Sequence, residues 1–392
     1  MAGTTTNFAI PYPSSTDYVT DGATAMKSLA DQVDAAMFTG ASAGNLIING
    51  AMQVSQRSAV GTEVLSISTN NYFTTDRWQT RANASVGVVK QATVAEAPTG
   101  SGFRNSIKTT VTTAGTTFDA NQSCGILQRL EGQNLQAIRK GTASAQTVTL
   151  SFWVKSNKTG TYIAELFDAD NTRQVSKSYT INAVDVWEYK TITYPADVTG
   201  AFDNDNSGSM IVEFWLASST TYTSGTLNTV WAANVSANRA VGQTNLTTAI
   251  GNYWQMTGAQ LTVGSVATPF EFKSFADDLR ACQRYYAKSY SQGTFAGAAT
   301  FEGTAALEVL DSAGTKSFTV FFPVTMRAAP TITGYSPSTG AAGQWRIFNQ
   351  ARSLNQDNAV TFSPTSMNVT VPTVVASGVS LIIGHWVASV EL

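Results

Sequence analysis

Five stretches of this chain read with a period of two: VTLSFWVKSN (148–157), TGTYIAELFDADN (159–171), VWEYKTITYPAD (186–197), SMIVEFWLASS (209–219) and YWQMTGAQLTVGS (253–265). Each holds about five to nine residues rich in β-branched and aromatic side chains, bounded by Asn, Asp, Gly or Ser. Side chains alternate across the faces of a strand, so runs of this kind are built to pair in sheets. Several such strands predict an antiparallel sandwich of jelly-roll type over residues 45–272, opened by NLIINGAMQVSQR. One connection, 218–252, is long and made mostly of Thr, Ser, Asn, Ala and Gly, with Tyr222, Trp231 and Arg239 embedded. A loop of that length is either functional or packed on something else.

The period changes at TPFEFKSFADDLRACQRYY (268–286). Ser274 with Asp277 three residues later is a capping-box pattern. Phe275, Leu279, Cys282 and Tyr286 share one face by their 4-3-4 spacing, with Asp277 and Asp278 early and Arg280, Arg284 and Lys288 late, as the macrodipole favours. The spacing predicts a connector helix over 273–290 whose stripe packs on the body or on symmetry mates. Beyond it, TKSFTVFFPVTMRAAPTITGYS, GQWRIFNQ, AVTFSPTSMNVTV and GVSLIIGHWVASVEL predict a small second β-domain over 291–392.

Before the sandwich, DGATAMKSLADQVDAAM places Met26, Leu29, Val33 and Ala36 on a narrow stripe of coiled-coil type. Four or five turns are too few to be stable alone, so residues 1–44 are expected to self-associate. The chain is therefore read as mainly β: a short N-terminal helix, a jelly-roll sandwich, a connector helix and a distal β-domain, assembled as a homotrimer.

Only 13% of the residues are charged and the net charge is −2, so solubility rests on Thr, Ser, Asn and Gln, as in extracellular β-proteins and fibres. No basic tract offers counterion release, which argues against a nucleic-acid partner. The N-terminus does not read as a secretory signal and no run of about twenty apolar residues exists, so no membrane insertion is expected. Cys124 and Cys282 are too few for a disulfide framework and are read as free thiols of a protein made in a cytosol.

NLIINGAMQVSQR, YFTTDRW (72–78) and YWQMTGAQLTVGSVATPFEFKSFADDLRACQRYY together resemble the tail fibre or receptor-binding proteins of tailed bacteriophages, particularly those of aquatic bacteria. FAIPYPSSTDYVTDGATAMKSLADQVDAAM resembles the virion-proximal start of such fibres, and LSFWVKS resembles strands of jelly-roll carbohydrate-binding modules. The resemblance implies a homotrimeric virion protein of the tail, made in the host cytoplasm. It implies docking on a phage tail or adaptor protein through residues 1–44, and a distal domain facing host polysaccharide or lipopolysaccharide. A glycan-degrading tailspike and a purely structural virion protein are the alternatives.

Chemistry is sparse. The single histidine, His385, lies in an apolar strand and reads as structural, so neither a multi-histidine metal site nor a Ser-His-Asp triad is expected. The carboxylate pairs Asp168–Asp170, Asp203–Asp205 and Asp277–Asp278 fall in turns or a helix start, where Asp bonds local backbone, and no catalytic role is expected. DNDNSG (203–208) looks like the start of a calcium loop with Asp203 and Asp205 as ligands, but its twelfth position is Phe214 and Glu213 is one residue off. No cofactor is expected. Sugars stack their C–H faces on aromatic rings while polar groups satisfy their hydroxyls. Trp153, Trp215 and Trp254 are expected in the core. Tyr222, Trp231 and Arg239 in the long loop, and Tyr335 and Trp345 in the distal domain, are the glycan-binding candidates.

Overall fold

The computed structural model describes residues 3–4, 11–12, 22, 24, 26–29, 44–66, 70–82, 87–115, 117–309, 314–349, 353–357, 359–374 and 380–392. Gly3–Thr4 (β1) pairs antiparallel with Pro11–Tyr12 (β2). Residues 22, 24 and 26–29 are helical, with Met26 70% and Leu29 40% exposed. Val33 and Ala36 lie outside the described residues.

The body is a sandwich of two six-stranded antiparallel sheets, as the period-two runs require. Its strands are Val64–Ser66 (β3), Gln79–Ala82 (β4), Gly87–Val94 (β5), Ser106–Ala114 (β6), Ser123–Glu131 (β7) and Val148–Ser156 (β8). Gly160–Asp168 (β9), Arg173–Ile181 (β10), Glu188–Tyr194 (β11), Gly208–Ser218 (β12), Ala232–Ala233 (β13) and Tyr253–Val263 (β14) follow. Sheet I has the order β13-β10-β9-β12-β7-β4 and sheet II the order β11-β8-β14-β6-β5-β3. Between them Leu150, Phe152 and Val154 of β8 meet Val212, Phe214 and Leu216 of β12. Phe214 is the hub, with ring centroids 5.0 Å from Phe152, 5.7 Å from Trp254 and 6.2 Å from Trp78. Rings of this size dominate the energetics of such a core, because each removes so much apolar surface from water.

Residues 45–58 contain no strand, contrary to the reading of NLIINGAMQVSQR. Asparagine side chains take over the backbone bonds that a ladder would make. Asn45 Oδ1 accepts from the Ile47 and Leu261 amides, and Asn49 bonds the Val54 amide and carbonyl. Asn49 and Met52 take left-handed φ values of 56° and 55° to make the turn.

The connector helix is shorter than expected, Phe275–Gln283, and is capped by Ser274 Oγ, which accepts from the Asp277 amide at 3.2 Å. Tyr286 is not on it. Tyr286–Lys288 (β15) pairs with Ser380–Ser389 (β23), and Tyr286 and Cys282 are buried by their own chain. The expected interchain stripe Phe275, Leu279, Cys282, Tyr286 is thus corrected: half of it is covered internally, while Phe275 stays 46% exposed.

The distal unit has its own core, including Trp345, Trp386, Phe322 and Met367. Its central strand is β23. One half of β23 pairs with Ala305–Val309 (β16) and Gln344–Asn349 (β19), the other with β15 and Thr331–Tyr335 (β18). Ser353–Asp357 (β20) pairs with β19. Gly314–Phe321 (β17), Ala359–Phe362 (β21) and Ser366–Val374 (β22) form a second sheet.

Buried charges clamp this unit to the sandwich. Glu391 bonds Arg57 at 2.7 Å and also Arg77, Arg57 reaches Asp76 at 3.2 Å, and Glu131 takes Arg284 in a bidentate pair and the Tyr285 hydroxyl. Among the described residues no helix is long and apolar enough to cross a membrane.

Candidate functional site

The two outer faces of the sandwich have opposite fates. On sheet I, Glu165 of β9 and Glu213 of β12 sit directly opposite one another, beside Ile163 and Trp215. The excursion between β12 and β14 folds back over them. Arg239 forks onto Glu165 with bonds of 2.8 and 2.9 Å, and its guanidinium lies 5.1 Å from the Trp215 ring and 5.9 Å from Tyr222. Arg81 reaches Glu213 at 2.8 Å. Burial pushes the Glu213 carboxyl up, against the pull of Arg81 and Arg239. Burial also opposes charge on Arg239, but the nearby Glu165 more than offsets it and holds the guanidinium above its ordinary range.

Tyr222 and Arg239 are therefore brought together, as the fasteners of the loop. Trp231 joins a different group: its indole N–H donates to the Pro195 carbonyl at 3.0 Å, and Lys140 Nζ lies 5.1 Å from its ring.

Sheet II leaves part of its outer face open, around β8 and β11, while Gln255, Thr257 and Gln260 on the outer side of β14 are buried. The alternation that sends Phe152 inward sends Trp153 outward, so Trp153 is half-buried on the surface, not in the core with Trp215 and Trp254. Tyr189, 46% exposed, stands opposite it on β11, with ring centroids 5.3 Å apart. On its other side Trp153 faces Thr257 of β14. In the next row Lys155, Gln255 and Lys108 follow across β8, β14 and β6. Trp187 precedes β11, with Lys155 Nζ 5.9 Å from its ring. Tyr253 carries Lys108 Nζ at 4.2 Å, and its hydroxyl donates to Asp185. Four strands at about 4.8 Å spacing make this platform about 14 Å wide.

The charges on the platform are matched internally. Lys155 bonds Glu96, which also accepts from Gln255 Nε2 at 3.1 Å. Partial burial opposes the Glu96 charge, but the Lys155 and Gln255 hydrogen bonds outweigh it and hold the carboxyl below its ordinary range. Desolvation pushes the Tyr253 phenol up, and the Asp185 bond adds to the shift. The group missed by the sequence reading is thus Trp153, Trp187, Tyr189 and Tyr253. Its signal was present in the strand alternation of FWVK and EYK, which places Trp153 and Lys155 on one face.

The distal candidates do not form a platform. Trp345 is fully buried, its ring 5.5 Å from Phe318 and packed over Gly384, where a Cβ would lie 2.2 Å from the indole. It has no face to offer a ligand and is corrected to core. Tyr335 is half-buried with its ring 6.2 Å from Tyr290. His385 is buried, stacked on Tyr290 at 3.8 Å, with its ring nitrogens bonded to Ser289 Oγ and the Thr300 carbonyl. Asp205 Oδ1 accepts from the Ser207 amide at 2.8 Å, a turn bond, and the Asp203 backbone amide donates to the Asp170 carboxylate. Glu213 faces Arg81 and Arg239, away from any loop ligand set. Among the described residues no group of three His, Cys, Asp or Glu is placed to hold a metal. Both cysteines are free and buried. A cavity of about 280 Å³ is lined by Leu135, Gln136, Arg139, Lys140, Thr142, Ala201 and Phe202, none of them a platform residue.

No protein-family model matches the chain, and no curated protein matches it. Among solved structures it is similar to the enzymatically active domain of tailspike protein 4 of bacteriophage CBA120, at TM-score 0.30 and 14% identity over 56% of this chain and 21% of that one. The chain thus spans about a fifth of the length of that tailspike structure. It is also similar to a family 11 carbohydrate-binding module from Clostridium thermocellum in complex with a β-1,3-1,4-mixed-linked tetrasaccharide. There the TM-score is 0.26 and the identity 14%, over 54% of this chain and all of the module (100%). Discoidin II of Dictyostelium discoideum matches at TM-score 0.17 and 8% identity, over 76% and 86% of the two chains.

Proposed function

We propose that this protein is a tail fibre of a tailed bacteriophage that adsorbs to its host by binding cell-surface glycan through the outer face of sheet II. The observation that carries the glycan reading is the open aromatic platform of Trp153, Tyr189, Trp187 and Tyr253, flanked by polar side chains, on a sandwich whose other face is sealed. Flat rings with polar neighbours suit the alternating C–H faces and hydroxyls of a saccharide. Placement in a virion rests on the resemblance of the 8–37 and 253–286 stretches to phage fibres. Self-association, as a homotrimer, is supported by apolar side chains that one chain leaves uncovered: Met26 and Leu29, and the mutually packed Phe103, Phe270 and Phe272, of which Phe272 is 56% exposed. Three weak sites per fibre would then act as one strong one.

The protein acts as a binder and not as a hydrolase in this reading. The carboxylates of the turns and the helix start are held by internal partners: Asp168 by Lys140, Asp170 by the Asp203 amide, Asp277 by Ser274 and Asp278 by Gln53. The test is adsorption of the purified protein to host cells, with its mass in solution measured alongside. Trp153→Ala/Tyr189→Ala is expected to lower cell binding at least tenfold without changing the oligomer. Unchanged adsorption would remove the site from sheet II. Release of reducing ends from host polysaccharide, lost on changing one of the carboxylate pairs Asp168–Asp170, Asp203–Asp205 or Asp277–Asp278, would replace the binder with a hydrolase.

A further inference from the structure

We infer that the sheet II platform takes a neutral glycan segment and discriminates against acidic polysaccharide; this rests on the glycan reading above and narrows it. The charges around the rings balance to zero. Lys155 is paired with Glu96, and Tyr253 joins Lys108 on its ring face to Asp185 on its hydroxyl. Two lysines, Lys155 and Lys108, thus stand among two carboxylates, Glu96 and Asp185, so the platform carries no net charge to draw the carboxylate of a uronic or sialic acid.

What does remain for a ligand is uncharged. Among the described residues the indole N–H groups of Trp153 and Trp187 and the Tyr189 hydroxyl have only ring contacts. Thr257 Oγ1, beside Trp153, and Gln255 Oε1, in the row of Lys155 and Lys108, are buried without a hydrogen-bond partner. This is an inventory of neutral donors and acceptors beside stacking surfaces, which matches sugar hydroxyls. An anion brought here would lose its hydration beside Glu96 and Asp185, and the one ammonium without an ion pair, Lys108, is already seated on the Tyr253 ring. Rejection by unpaired charge is a route to specificity as direct as attraction.

The experiment is affinity electrophoresis of the full chain in gels carrying neutral polymers (dextran, mannan, xylan, mixed-linkage β-glucan) or acidic ones (alginate, polygalacturonate, hyaluronate). Calorimetry on any polymer that retards it follows at 20 and 500 mM NaCl. Retardation by at least one neutral polymer is expected, with Kd changing less than twofold between the two salts and rising at least tenfold in Trp153→Ala. Glu96→Gln, which frees the Lys155 ammonium, is expected to gain salt-sensitive retardation by an acidic polymer that the native chain ignores. Binding by the native chain to acidic polymers only, weakening at least tenfold in high salt, overturns the neutral assignment but keeps glycan binding. No retardation by either class overturns both.

Discussion

Glu391→Gln tests the claim that buried charge joins the distal unit to the sandwich. Glu391 and Asp76 face Arg57 and Arg77, so two negative charges meet two positive ones where Arg77 is fully buried and the others nearly so. Removing the Glu391 charge strands one guanidinium in a buried site. Breaking one partner of a buried pair costs about 3–5 kcal/mol. Arg77 keeps its bond to the Arg129 carbonyl at 2.7 Å and its position 3.5 Å over the Tyr285 ring. These contacts offset part of the loss and place the expectation near the low end, about 3 kcal/mol. At about 2–4 °C per kcal/mol for a unit of this size, Tm should fall by about 6–12 °C. Thermal and urea unfolding of the full chain, followed by tryptophan fluorescence, would read it. Two units can melt separately, so the transition to follow is the one that reports loosening of the junction. Arg77→Met/Glu391→Met removes both charges and should recover most of the loss. A Glu391→Gln change within about 0.5 kcal/mol of native, the range of an ordinary surface substitution, would refute the reasoning. So would a double variant no better than the single.

Lys140 Nζ sits in a cage of oxygens, from Asp168, Asp197 at 3.1 Å, Thr199 O at 2.9 Å and Gly200 O at 2.7 Å, a set suited to a hard cation. Lys140→Ala should melt earlier than native and regain several degrees in millimolar calcium, while native stays indifferent; equal calcium responses would count against the cage. At Glu131, burial opposes charge but Arg284 and the Tyr285 hydroxyl outweigh it and hold the carboxyl below its ordinary 4.5. Its contribution is therefore present above about pH 4.5 and lost as pH falls toward the depressed value. Glu131→Gln should flatten that acid limb of a stability–pH curve, and an unchanged slope would show that other carboxylates set it. Burial lowers the Lys288 amine to about 8, so this group makes stability rise as pH climbs from about 8 toward 10.5. Lys288→Met should remove that rise in chemical denaturation across the same range, and a rise that persists would assign it elsewhere.

Strand identity was legible because it is local. The runs at 148–157, 159–171, 186–197, 209–219 and 253–265 became β8, β9, β11, β12 and β14 with ends shifted by a few residues, and Ser274 capped its helix where the spacing placed it. The helix was read too long at its far end, because nothing local distinguishes YYAK as helix from YYAK as a strand. β23, nearly a hundred residues away, decides it by pairing there. Asparagine-capped turns at 45–58 were read as strand for the same reason, since an apolar NLIING is extended or turned according to the partners its amides find.

The amino-acid sequence alone determined that this chain is mainly β and where its strands run, because alternation and turn residues act within a few positions of one another. It also carried the inward–outward parity that separates Phe152 from Trp153. Only the tertiary structure decided which aromatic side chains meet solvent. Trp215 and Trp153 both point out of the sandwich, but the 219–252 excursion folds over the first, while the second, on the other sheet, stays half-buried at the surface. That choice depends on Arg239 finding Glu165 across 74 residues of chain. A period of two holds no trace of a contact made over that distance.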